Sequence, residues 1–111
     1  MKYRMTPVAI FVSLYVLCGH ALANDARLAE KGREIFNQFC YHCHGSDAIQ
    51  GERIRDLRRL TRRYGDERHD VFLKTVTEGR TDKGMPSWKE SLSPQALSEI
   101  WAFLESVQNK D

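Results

Sequence analysis

The chain has 111 residues and a formal charge of +2, with 17 basic residues against 15 acidic ones. Lys2 and Arg4 precede an apolar run over residues 8–17, and Ala21-Leu22-Ala23 follows as a small-x-small cleavage pattern, so residues 1–23 read as a secretory signal peptide. Removing them leaves residues 24–111, 88 residues of zero formal charge: one domain with a thin core, in the size class that needs a disulfide, a metal or a large cofactor.

The apolar run is short for a bilayer span, which favours cleavage over a retained anchor, and Leu17 before Cys18 is wrong for lipoprotein processing. The expectation is a periplasmic protein with no membrane span in the mature chain. An exported chain meets no genome, and no aromatics interleave its basic cluster, so nucleic-acid binding is excluded from the reading. Of the candidate ligands, Cys40, Cys43, His42, His44, His69 and Met85 survive loss of the leader.

Asn24 or Asp25 is expected to cap a first helix over residues 26–39, with Leu28, Ile35, Phe36 and Phe39 near one face. Gly32 costs about 1 kcal/mol against alanine inside such a helix and marks a close approach, with the Trp101 ring as the expected neighbour. Cys40-Tyr41-His42-Cys43-His44 comes next. Cys-x-x-Cys-His is the attachment sequence for c-type haem. Two cysteines three positions apart lie on nearly one side of a helical turn and reach two vinyl groups on one porphyrin edge. The histidine that follows sits where an imidazole nitrogen binds the iron.

Residues 45–51 read as a turn and residues 54–64 as a short helix ending at Gly65, with Leu57, Leu60 and Tyr64 at helical spacing. Arg53, Arg55, Arg58, Arg59, Arg62 and Arg63 crowd that segment against Asp56 alone. A solvated face is the ordinary reading of such a run; a docking patch for an acidic partner, or a source of a haem propionate partner, is the functional one. Asp70 is expected to cap a third helix over residues 71–78, closed by Gly79, and residues 80–92 read as loop. Ser93-Pro94 opens the last helix as N-cap and first helical residue, and Leu97, Ile100, Trp101, Leu104 and Val107 recur along it at three and four.

A haem iron takes two axial ligands. His44 is the proximal one by the motif, and His42, His69 and Met85 compete for the distal place. His42 lies between the cysteines and points away. His69 sits among Asp66, Glu67, Arg68 and Asp70, where solvent suits it. Met85 is held between Gly84 and Pro86, and its soft thioether favours ferrous iron and a raised potential. Met85 is therefore the expected ligand.

Gly32, Phe36, the motif at Cys40–His44, Met85-Pro86 and Trp101 together resemble the class I, single-haem cytochromes c, over essentially all of residues 24–111. The resemblance implies an all-α fold: a small cytochrome c fold of about four helices around one covalently attached haem c with its iron, the first and last helices crossing near Gly32 and Trp101. It implies one-electron transfer between redox partner proteins, a dehydrogenase and a terminal oxidase or other cytochrome, by a monomer that is not an enzyme. In many members a proline carbonyl after the motif accepts the proximal histidine N–H. No proline stands between Val8 and Met85, so another carbonyl near residues 54–55 is expected to serve. Gly79, Met85-Pro86 and Trp88 look more narrowly like small cytochromes that accept electrons from periplasmic quinoprotein alcohol dehydrogenases. The competing readings are a ligand sensor or peroxidase-like protein with a displaceable Met85, a zinc site at Cys40, Cys43, His44 and His69, and a Cys40–Cys43 disulfide.

Overall fold

A computed structural model of the chain describes residues 8–49 and 52–109, with side chains from residue 21 onward. Helix α1 spans Val8–Phe39, and α2, Tyr41–His44, follows it after a single turn residue, Cys40. Helices α3 (Leu60–Tyr64), α4 (Arg68–Glu78) and α5 (Pro94–Ser106) complete an all-α fold in which α1 with α2 forms one of four helical bodies. The only strand-like pairing among the described residues is a two-residue bridge between Arg80 and Met85.

The first helix begins eighteen residues before the expected start at Ala26. Neither Asn24 nor Asp25 caps it. Residues 20–31 contain no glycine or proline and are rich in alanine and leucine, so extending the helix costs less than ending it. Residues 1–7 of the expected leader lie outside the described residues.

The pattern at the other end holds. The Ser93 hydroxyl accepts from the Ala96 N–H at 3.1 Å, Pro94 takes the first turn, and Leu97, Ile100, Phe103 and Leu104 are buried. These side chains meet Phe36 of α1 across the centre of the fold, with the Phe36 and Phe103 rings 5.3 Å apart. Leu60, Phe72, Leu92 and Ala48 close the same core. Each large side chain buried there stabilises the fold by about 1.5–3 kcal/mol.

Gly32 does mark a close approach, though not to a ring. A Cβ on it would lie 1.8 Å from the Glu99 carbonyl oxygen of α5. Trp101 instead faces α4, its ring 5.2 Å from Phe72 and 4.8 Å from His69. Only a glycine lets two backbones touch here, which sets where α1 crosses α5 and so where the end of α1 presents the cysteine motif.

The expected helix over residues 54–64 is broken. Two 3₁₀ turns, Arg53–Arg55 and Leu57–Arg59, precede the five-residue α3. Asp56 is the cause: its carboxylate accepts from the Arg58 N–H at 3.0 Å, which offers the backbone a turn in place of a helix. Helix α4 starts three residues before the expected Val71, so Asp70 lies in its first turn and caps nothing. His69 is exposed, as solvation predicts, but its ring lies over Trp101. The loop over residues 80–92 contains a 3₁₀ turn, Thr81–Lys83, and the Arg80–Met85 bridge.

Candidate functional site

Cys40, Cys43 and His44 share one helical turn. The Cys40 N–H still bonds the Phe36 carbonyl at 2.8 Å, and the His44 N–H bonds the Cys40 carbonyl at 3.0 Å, so the motif inherits its orientation from α1. Gly45 ends the turn, its N–H bonding the Tyr41 carbonyl. Burial, and secondly the neighbouring Cys43, push the Cys40 thiol up to about 11.

His44 Nδ1 lies 2.9 Å from the carbonyl oxygen of Arg55. A carbonyl only accepts, so Nδ1 carries the proton and Nε2 keeps a free lone pair for a metal. This is the contact expected near residues 54–55 in place of a proline carbonyl, and the turn at Arg53–Arg55 brings it there. Gln108 holds the same segment against α5, donating to the Leu57 and Leu104 carbonyls at 2.8 Å and accepting from the Thr61 N–H at 3.0 Å. The Phe36 ring stands 6.4 Å from the His44 ring.

Met85 is half-buried on the loop between α4 and α5. Its N–H and carbonyl both pair with Arg80, at 3.0 and 2.8 Å. Gly79 has φ 74°, and a Cβ there would meet Ser87 N at 2.6 Å and Met85 O at 2.9 Å, so the loop closes directly on this glycine. The Trp88 N–H bonds the Val76 carbonyl at 2.9 Å, and its ring meets Phe39 edge-on at 5.7 Å. Three anchors thus fix the backbone on both sides of the thioether. Phe36, Phe39, Leu57, Leu60, Trp88 and Trp101 all join the core or pack on it.

Sequence reasoning missed the clamp behind the motif. Asn37 donates from Nδ2 to the Asp47 carboxylate at 2.8 Å and accepts from the Asp47 N–H at 2.8 Å; Arg33 adds a bond to the same carboxylate at 3.3 Å. These contacts hold Asp47 and buried Ala48 in the left-handed region, at φ 56° and 61°. That conformation costs about 1–2 kcal/mol per L-residue. Aspartate tolerates it, a signal the sequence did carry; Ala48 gave none.

The Asn37 amide first, and Arg33 second, hold the Asp47 carboxyl below its ordinary range. A depressed carboxyl adds stability above its unfolded-state value and loses it as pH falls through the folded-state value. Asn37→Ala should therefore lower the melting temperature most near neutral pH, and the gap to wild type should narrow in acid. A gap that stays constant into strong acid would remove the carboxylate from this account.

The donor set suits a c-type haem: two sulfurs on one turn, an imidazole with its outer nitrogen committed, and apolar neighbours. A zinc site is not assembled, since His69 lies on Trp101 and no three His, Cys, Asp or Glu side chains among the described residues come together to hold a metal.

Residues 27–104 match the family model described as cytochrome C oxidase, cbb3-type, subunit III. The chain is 36% identical over 84 residues to quinohemoprotein alcohol dehydrogenase ADH-IIG of Pseudomonas putida, covering 76% of this chain and 11% of that one. It is 36% identical over 81 residues to cytochrome c550 of Pseudomonas aeruginosa, covering 70% and 54%. It is 26% identical over 103 residues to the cbb3-type cytochrome c oxidase subunit CcoP of Azospirillum sp., covering 86% and 34%. The chain thus spans from about a tenth to about half of the length of these curated relatives. No solved structure matches it.

Proposed function

Because the chain belongs to the cytochrome c family represented by subunit III of cbb3-type cytochrome c oxidase, whose cofactor is a covalently bound c-type haem, we propose that it is a one-electron carrier with His44 and Met85 as axial ligands. Cys40 and Cys43 form the two thioether links. The bound haem supplies one iron that accepts and returns a single electron. The observation that carries the reading is the His44–Arg55 hydrogen bond, which leaves Nε2 as the only ring nitrogen able to bind a metal.

The protein's contribution is to hold these groups still. Arg55 fixes the His44 ring, and the Arg80 bridge with the close approach at Gly79 fixes the Met85 loop. Phe36 and Leu60 are buried in the core, with Phe39 and Leu57 packed on it, and an apolar surround of this kind would favour the less charged ferrous state. His44 and Met85 would both bind the iron and so would leave no position there for a substrate, which supports a role in transfer and not in catalysis. We place the carrier in the periplasm after cleavage of residues 1–23, between a dehydrogenase and an oxidase or second cytochrome. Among the described residues no helix is long and apolar enough to cross a membrane. The dehydrogenase and oxidase subunits among its relatives support such partners.

An absorption spectrum of the exported protein, with the denatured pyridine adduct, tests the reading. Covalently retained haem with the weak long-wavelength band of methionine-bound ferric iron is the expected result. Haem without that band would displace Met85; no haem at all would overturn the carrier reading.

A further inference from the structure

The Arg55 carbonyl orients the His44 ring, yet the turn that carries it is weakly built. A proline restrains the backbone beside its own carbonyl through its ring. The turn Arg53–Arg55 has no such restraint and buries none of its three residues. Ile54, at its centre, is 68% exposed. Two backbone bonds close it: the Arg55 N–H to the Glu52 carbonyl at 3.0 Å, and the Asp56 N–H to the Arg53 carbonyl at 3.4 Å, long for such a bond. A turn with so little buried opens easily unless other elements hold it.

Two side chains from elsewhere in the chain do so. Arg63 of α3 donates to the Ile54 carbonyl at 3.2 Å and to the Arg53 carbonyl, gripping the two residues before Arg55. A guanidinium has several N–H groups in a fixed fork, so one side chain spans both carbonyls. Helix α3 has only five residues, too few to be stable alone, and Arg59 at its start supplies no side-chain cap. Gln108, beyond the end of α5, fills that place: its Oε1 accepts from the Thr61 N–H at 3.0 Å. Its Nε2 donates to the Leu57 and Leu104 carbonyls, both at 2.8 Å, and the Asn109 N–H bonds the Arg58 carbonyl at 2.8 Å. Both N–H groups and the oxygen of this half-buried amide are therefore used. Ending α5 requires only the bond to Leu104. The bonds to Leu57 and Thr61 fix the segment that runs from the His44 acceptor into α3.

We propose that Gln108 and Arg63 are positioning residues for the proximal ligand. Through α3 and the Arg53–Arg55 turn they hold the Arg55 carbonyl against His44 Nδ1, and so set the reduction potential of the haem. The proposal rests on the electron-carrier reading. A carbonyl held at 2.9 Å makes the imidazole a more basic donor, which favours ferric iron. A carbonyl free to drift weakens that hydrogen bond, and the potential rises.

The test uses the haem-loaded protein and two variants that keep its charge. Gln108→Met keeps the side-chain length and removes the amide; Arg63→Lys keeps the cation and loses the fork. In each, the potential from a mediated spectroscopic titration should shift upward. Proton nuclear magnetic resonance of the ferrous protein should show the His44 ring N–H exchanging with deuterated water about tenfold faster, the loss of roughly one hydrogen bond's net stability. Arg68→Lys is the control. It breaks the two-point pairing of Arg68 with Glu105, which ties α4 to the same end of α5. It should lower the melting temperature and leave potential and exchange alone. If either readout stays at its wild-type value or moves the other way in the two variants, or moves equally in Arg68→Lys, the proposal is overturned. Where one variant yields no folded haem protein, the other decides. Wild-type protein with no reversible one-electron step would remove the carrier reading and the proposal with it; a reversible wild type with unmoved variants removes the proposal alone.

Discussion

Replacing Gly32 with alanine should destabilise the haem-loaded protein by about 3 kcal/mol, the upper end of ordinary overpacking. The sign is what makes this informative. On an open helix face the same change would stabilise, by about 1 kcal/mol, because alanine is the better helix former. Here the new Cβ would fall 1.8 Å from the Glu99 carbonyl oxygen, 2.4 Å from its carbon and 2.9 Å from the Ile100 nitrogen. All three are backbone atoms of α5, so no rotamer change relieves the clash. The helices must separate, and the contacts that depend on their spacing, Phe36 against Phe103 first, loosen with them. For a domain with a total stability of about 5–15 kcal/mol that is a large fraction. Urea unfolding followed by far-ultraviolet circular dichroism measures it. A stability equal to or above wild type would mean that α1 and α5 do not cross at this residue.

Gly32 also shows where sequence reasoning stops. The anomaly was legible: a glycine in the middle of an apolar-faced helix needs a reason. Its neighbour was not, because whether a ring or a carbonyl meets it depends on the rotation of α5 about its axis, which the spacing of Leu97, Ile100 and Leu104 fixes only to within a residue or so. Features set by local spacing came through intact, namely the single turn that carries Cys40, Cys43 and His44 and the Ser93-Pro94 helix start. The carbonyl that receives His44 was legible only through the resemblance to the class I cytochromes c, whose proline carbonyl has no counterpart here and so pointed to the segment at residues 54–55. The broken helix over residues 54–64 was misread because apolar residues at helical spacing outweighed Asp56, whose carboxylate competes for the backbone two residues on. The Asn37–Asp47 clamp joins two turns of chain that only the folded motif brings together, so no window of sequence displayed it.

Met85 bears the larger functional consequence. Met85→Ala should lower the reduction potential by on the order of 0.1 V, a fraction of the roughly 0.8 V over which axial ligands act. A thioether is a soft, uncharged, weakly basic donor that suits ferrous iron better than ferric; taking it away leaves water or nothing in its place and removes that preference. The long-wavelength absorption of the ferric protein should disappear, and added imidazole should bind where wild type resists it. The fold should survive, because the loop is fixed through backbone groups: both Arg80–Met85 hydrogen bonds, the Trp88–Val76 bond and the approach at Gly79 involve no side chain of residue 85. Unchanged helical content with a changed spectrum is thus the expected pair of readings. His69→Ala is the matched control. Its ring, on α4, lies against Trp101 of α5, so its removal should leave spectrum and potential alone. If His69→Ala opens the iron to imidazole and Met85→Ala does not, the axial pair is His44 with His69, and the site belongs to a low-potential carrier. If both variants keep the wild-type spectrum, the sixth position is not filled by either side chain, and an open haem that binds small ligands becomes the better description of the site.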